Sequence, residues 1–141
     1  MKILFLDIDG VLNSVYYSKK MEYNEFFEKK KIELIKQIVE KTNCKIVLTS
    51  LRLNFQLYDN EIKETLENEG LKIYDTLNLS FISKAESIQR YIKNKDSIEN
   101  YVVVDDSDYK NDFKYHFVKT STYYGLTKSK AKKIVELFNI Q

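Results

Sequence analysis

The chain has no proline, three glycines, one cysteine, one histidine and two arginines in 141 residues. With proline absent and glycine scarce, no flexible linker divides it, and its length suits a single domain over residues 1–141. The lone Cys44 excludes an intramolecular disulfide and a cysteine-based zinc site. Arginine stands only at Arg52 and Arg90, so a bidentate clamp on phosphate must use one of them. Apolar runs fall far short of the roughly 20 residues needed to cross a bilayer. Met1-Lys2 leads straight into an apolar strand, without a signal-peptide pattern. The expectation is a soluble, cytoplasmic, monomeric protein with no membrane partner. Basic and acidic residues nearly balance, 23 against 21, so charge alone does not point to nucleic acid.

Strand and helix patterns alternate. Strands are expected at Lys2 to Asp7, Lys45 to Thr49, about Leu71 to Tyr74, Tyr101 to Val104 and Phe117 to Lys119. Helices are expected from about Glu25 to Lys41, with Phe27, Leu34, Ile35, Ile38 and Val39 on one face, and from about Asp59 to Glu69, stopped by Gly70. A third opens at Ser83-Lys84-Ala85-Glu86, a capping box, and a fourth at Thr127. Such alternation requires crossover connections, hence a mostly parallel α/β sheet of about five strands with helices on both faces. The run Lys29-Lys30-Lys31 reads as a solvated helix face, with a docking patch for a polyanion as the minority reading, and His116 reads as a structural or exposed residue.

The strand ends carry polar groups of a useful kind. The first gives Asp7 and Asp9, followed at once by Gly10. The second gives Thr49 and Ser50, then Arg52. Lys84 opens the third helix. The fourth strand ends in Asp105 and Asp106, with Asp108 close behind. In a parallel sheet these ends share one edge, where ligands of open α/β sheets bind. Carboxylates gathered there repel one another unless a cation sits among them. An all-oxygen ligand set favours Mg²⁺ over zinc or copper. Lysine and hydroxyls then suit a phosphoryl group. Asp7 can act as a nucleophile towards phosphorus, and Asp9 as an acid and then a base. Thr49 can donate a hydrogen bond to the phosphoryl oxygens.

In these residues the chain resembles the phosphatase branch of the haloacid dehalogenase (HAD) superfamily. Four motifs appear in order: Leu6-Asp7-Ile8-Asp9-Gly10, Ile46-Val47-Leu48-Thr49-Ser50, Lys84, and Val102-Val103-Val104-Asp105-Asp106. The resemblance implies a Rossmann-like fold and a phosphomonoesterase working through an aspartyl-phosphate. It implies a nucleophile at Asp7, an acid/base at Asp9, a phosphate ligand at Thr49 or Ser50, and charge stabilisation by Lys84. Mg²⁺ would be held by Asp7, the backbone carbonyl of Asp9 and either Asp105 or Asp106. The family often has Gly-Asp where this chain has Asp105-Asp106. The intervals where the family inserts cap domains are short here, so a capless member is expected, open to large substrates such as nucleotides or nucleic-acid phosphate ends. The Asp9 to Asn13 opening and Gly125-Leu126-Thr127 resemble small HAD domains associated with RNA repair. Arg52 is expected to meet substrate. Asn13 is expected to contact substrate or to tie down the flap after Gly10.

Other functions fit less well. A phosphoprotein phosphatase of the same fold, or a non-catalytic phosphate-binding module, remains an alternative. A receiver domain would need its accepting aspartate on a later strand, where only Asp75 is available. Dehalogenation is disfavoured, because a halide leaving group needs no proton from Asp9. Tyr16, Tyr17 and Tyr23 are candidates for stacking on a base, with packing or simple exposure the plainer reading.

Overall fold

A computed structural model describes residues 1–16, 27–49, 56–77, 79 and 82–140, with the backbone alone over 56–60. Five strands form one parallel sheet: β1 (Lys2–Leu6), β2 (Lys45–Leu48), β3 (Ile73–Thr76), β4 (Asn100–Asp105) and β5 (Phe117–Lys119). Their spatial order is β3-β2-β1-β4-β5. The helices described from end to end are α1 (Lys29–Thr42), α2 (Gln56–Asn68), α3 (Lys84–Lys93), the short α4 (Lys110–Phe113) and α5 (Lys128–Asn139).

β1 lies at the centre because its side chains are apolar on both faces. Ile3, Leu4, Phe5 and Leu6 are all fully buried. Each contributes roughly 1.5–3 kcal/mol by leaving water, so this one strand rivals the net stability of a domain. Leu4 and Leu6 join Ile46, Leu48, Val102 and Val104 in one core, beneath Ile32, Ile35 and Ile38 of α1, Ile62 and Leu66 of α2, and Ile134 and Phe138 of α5. Ile3 and Phe5 join Val47 and Val103 in the other, covered by Ile88 of α3 and Phe113 of α4. The period-2 alternation of a strand thus feeds two helical layers.

Helix ends follow local chemistry. Ser83 caps α3 by accepting from the Glu86 N–H, and Thr127 caps α5 by accepting from the Lys130 N–H. The Glu86 side chain pairs forward with Arg90 at 2.8 Å. α1 stops at Asn43, whose left-handed φ of 57° turns its N–H back to the Val39 carbonyl.

Several expectations need correction. α1 begins at Lys29, and Phe27 is buried just ahead of it rather than on its face. β3 runs two residues later than expected, because Leu71 spends its N–H on Leu66 in the turn that closes α2. α4 and the 3₁₀ turn Lys114–His116 had no counterpart in the sequence reading. The lysine run is not uniformly solvated. Lys29 and Lys30 are exposed, while Lys31 is buried, donates to the Leu126 carbonyl at 2.8 Å and pairs with buried Glu28 at 3.8 Å. His116 stacks on Tyr101 with ring centroids 4.1 Å apart, and its Nδ1 lies 2.9 Å from the Tyr101 carbonyl oxygen.

The topology fixes where a ligand can sit. From β1 the chain moves one way to β2 and β3, then crosses back to β4 and β5 on the other side. The order reverses between β1 and β4, and a crevice opens beyond their carboxyl ends.

Candidate active site

Asp7 is the first residue past β1 and Asp105 the last of β4, so the sheet register sets them side by side. Leu6 pairs with Val104, and the Asp7 N–H donates to the Val104 carbonyl at 3.2 Å. Thr49 follows β2 on the opposite flank of β1, its N–H donating to Leu6 at 3.0 Å. Lys84 arrives from α3. Its Nζ lies 2.7 Å from Asp105 Oδ2 and 3.3 Å from Asp7 Oδ1, with all three side chains buried.

Asp105 spends its other oxygen on the Ser107 N–H at 2.9 Å. Asp106 is half-buried and accepts from the Thr122 hydroxyl through Oδ2 at 2.8 Å. Gly10 turns the chain at φ +77°. Its missing side chain is what admits Asp106, since a Cβ there would stand 2.1 Å from Asp106 Oδ2. The Gly10 carbonyl accepts from Thr120 Oγ1 at 2.6 Å, which pins this turn to the segment after β5. Asn13 closes the turn from inside. Its Nδ2 donates to Asp9 Oδ1 and its Oδ1 accepts from the Gly10 N–H, both at 2.9 Å.

These groups line an open crevice of about 310 Å³, walled by Asp7, Asp9, Lys84, Asp105, Asp106 and Tyr109 among others. Carboxylate oxygens of Asp7, Asp105 and Asp106 lie within 4.8 Å of one another. Burial drives the Asp7 carboxyl up to about 7, with Asp105 adding to the rise and Lys84 opposing it. For Lys84, burial favours the neutral amine, but Asp7 and Asp105 outweigh it and raise the pKa. One ammonium against three carboxylates leaves an excess of negative charge. The all-oxygen donor set suits a hard dication, so a metal ion of the Mg²⁺ class fits the residues present.

The family described as "HAD domain in Swiss Army Knife RNA repair proteins" matches residues 3–131. The chain belongs to that family. No curated protein and no solved structure matches it. As a HAD domain it has the family's α/β parallel sheet, with no cap domain among the described residues. Among the described residues, the interval from Gly10 to β2 holds α1, and the interval from Thr49 to Lys84 holds α2 and β3. No described helix is long and apolar enough to cross a membrane.

The fold therefore brings Asp7, Asp9, Lys84, Asp105 and Asp106 to one crevice from distant parts of the HAD chain. Thr49 is fully buried, and its hydroxyl finds no hydrogen-bond partner among the described residues. Ser50 and Arg52, like Tyr17 and Tyr23, lie outside the described residues. Two bonds of Asn13 run within the turn, to Asp9 and to the Gly10 N–H. Asp108 caps the following segment by accepting from the Lys110 N–H at 3.0 Å. Tyr109 and Ser107 in the crevice wall had no signal in the sequence beyond nearness to Asp105.

Proposed function

We propose that this HAD domain is a Mg²⁺-dependent phosphomonoester hydrolase acting through an aspartyl-phosphate on Asp7, with a nucleotide or nucleic-acid phosphate end as substrate. The observation that carries this reading is the convergence of buried Asp7 and Asp105 on Lys84 at the point where the strand order reverses.

Asp7, the backbone carbonyl of Asp9 and an acid at the end of β4, Asp105 or Asp106, would hold the metal. Asp106 is the better ligand of the two, because both oxygens of Asp105 already accept bonds from Lys84 and Ser107. When bound, Mg²⁺ neutralises charge on Asp7 and on the phosphoryl oxygens. Lys84 is held by Asp105, so it meets the remaining negative charge without having to reorganise.

An oxygen of ionised Asp7 attacks phosphorus as the ester P–O bond breaks. Protonated Asp9 gives its proton to the leaving oxygen. Asp9, now a carboxylate, then takes a proton from the water that attacks phosphorus. The Asp7 O–P bond breaks, releasing inorganic phosphate and restoring both aspartates. The hydrogen bond from Asn13 fixes the rotamer of Asp9 for both transfers. The unpartnered Thr49 hydroxyl is kept for a phosphoryl oxygen, since an idle buried hydroxyl is costly. With no cap among the described residues, the crevice is open to a polymer end.

Release of inorganic phosphate from an aryl phosphate and from nucleotides, measured with and without Mg²⁺, tests this. The expected result is metal-dependent turnover that falls at least roughly a thousand-fold in Asp7→Asn. Turnover equal in Asp7→Asn and the parent protein would overturn it. Activity confined to phosphopeptides would replace the substrate class and leave the mechanism standing.

A further inference from the structure

Beside the crevice three tyrosines form a continuous exposed surface. Tyr16 is 41% exposed, Tyr123 40% and Tyr124 56%. Their ring centroids stand 6.0 Å apart for Tyr16 and Tyr123, 5.8 Å for Tyr16 and Tyr124, and 4.8 Å for Tyr123 and Tyr124. The backbone braces the cluster, with the Val15 N–H donating to Thr122 and the Tyr16 N–H to Tyr123. The bond from Thr122 to Asp106 then ties it to the carboxylates. Tyr123 therefore directly follows a residue bonded to the crevice wall.

The three rings pack on one another, yet each residue keeps two fifths or more of its surface open to solvent. Their position beside a proposed phosphate site selects a ligand with a planar group attached to its phosphate.

Charge on the same edge narrows the ligand further. α1 and α5 lie side by side, and both begin at the carboxyl edge of the sheet. Their starts meet there, since Lys31 in the first turn of α1 reaches the Leu126 carbonyl just ahead of α5. Neither first turn carries an acid. Exposed lysines stand there instead, Lys29 and Lys30 on α1 and Lys128 and Lys130 on α5. The helix dipole disfavours cations at those positions, and a bound polyanion would offset that cost.

We infer that Tyr16, Tyr123 and Tyr124 form a nucleobase platform for the end of a single-stranded nucleic acid whose terminal phosphate enters the crevice. The four lysines carry its neighbouring backbone phosphates. This rests on the phosphomonoesterase reading for the phosphate, and adds the base site and the strand path. Stacking on aromatic rings tolerates any base, so the platform gives affinity for single strands with little sequence preference.

The test is fluorescence anisotropy of the full chain in chelator, so that no turnover occurs. The probe is a 3′-phosphorylated single-stranded hexanucleotide, set against the same strand with its last two residues abasic. The base-bearing strand should bind roughly five- to fifty-fold more tightly. Tyr124→Ala and Tyr16→Ala should erase that preference, while Tyr124→Phe keeps it. Tyr115→Ala, 83% exposed at the opposite edge of the sheet, should change nothing. Replacing the four lysines by alanine should flatten the salt dependence of hexanucleotide binding and leave a nucleoside monophosphate unaffected.

Equal binding of the two strands, or a base preference that survives Tyr124→Ala, overturns the platform. A salt dependence that survives the lysine variant overturns the strand path. Anisotropy does not require catalysis, so the outcomes separate. A chain that discriminates bases but releases no phosphate refutes the hydrolase alone. A chain that releases phosphate but ignores bases refutes the platform alone.

Discussion

Gly10 and Asp106, nearly a hundred positions apart, occupy adjoining space, with 2.1 Å between Asp106 Oδ2 and the place a Cβ on Gly10 would take. The glycine is set by its left-handed backbone and, equally, by the acid it makes room for. Gly10→Ala should therefore displace Asp106 as well as strain the turn. Mg²⁺ affinity is expected to fall roughly ten- to a hundred-fold, as when a support of a metal ligand is lost. Isothermal titration with Mg²⁺ reads this, and unchanged affinity would show that Asp106 is not a ligand.

Lys84 is the ammonium that keeps Asp7 and Asp105 tolerable in the core. Lys84→Met should cost about 3–5 kcal/mol in urea denaturation without metal, because it leaves two buried carboxylates uncompensated. Added Mg²⁺ should restore more of the lost stability in Lys84→Met than it adds to the parent, since the cation then has more charge to neutralise.

The pH dependence follows from Asp7. Its folded-state pKa of about 7 lies above the ordinary 3.8. In metal-free protein its contribution to stability is thus complete below the ordinary value and is lost as pH rises through about 7. Metal binding needs the ionised form, so the proton competes with Mg²⁺ below that pH. The rise in Tm on adding Mg²⁺ should be larger at about pH 8 than at about pH 6, and Asp7→Asn should lose most of that difference. A shift independent of pH in the parent protein would place the metal away from Asp7.

Thr49→Val separates function from folding. The hydroxyl it removes has no partner among the described residues, so stability should hold or rise slightly. Phosphate release should nonetheless fall roughly a hundred-fold if that hydroxyl serves a phosphoryl oxygen. Unchanged kcat and KM would leave Thr49 a plain buried packing residue.

Neighbouring lysines should behave differently. Lys31→Met should cost about 3 kcal/mol, because buried Glu28 keeps its charge and loses its counter-ion. Lys30→Ala, on the exposed face, should stay within about 0.5 kcal/mol. Thermal melts of the two variants make the comparison.

The central strands were legible because a strand buried on both faces is written as an unbroken apolar run, as in Ile3 to Leu6 and Val102 to Val104. An acid at the end of such a run stands out, which made Asp7 and Asp105 readable. Helix caps at Ser83 and Thr127 were legible for the same reason: the cue and the bond are local. Lys31 was not, because its partners Glu28 and Leu126 come together only in the folded chain. Nor was the ring cluster, since Tyr16 meets Tyr123 and Tyr124 across more than a hundred positions. α4 escaped notice because four residues are too few to show a helical period. β3 was misplaced because Leu71 is apolar for packing under α2 rather than for pairing in the sheet.

The turn from Ser121 to Tyr124 hangs from the carboxylate cluster by the Thr122 bond and meets the flap through Tyr16. On the proposed hydrolase reading, substrate preference would be written in a handful of loop positions. Divergent descendants would then acquire new substrates through point changes there, with the carboxylate cluster inherited intact.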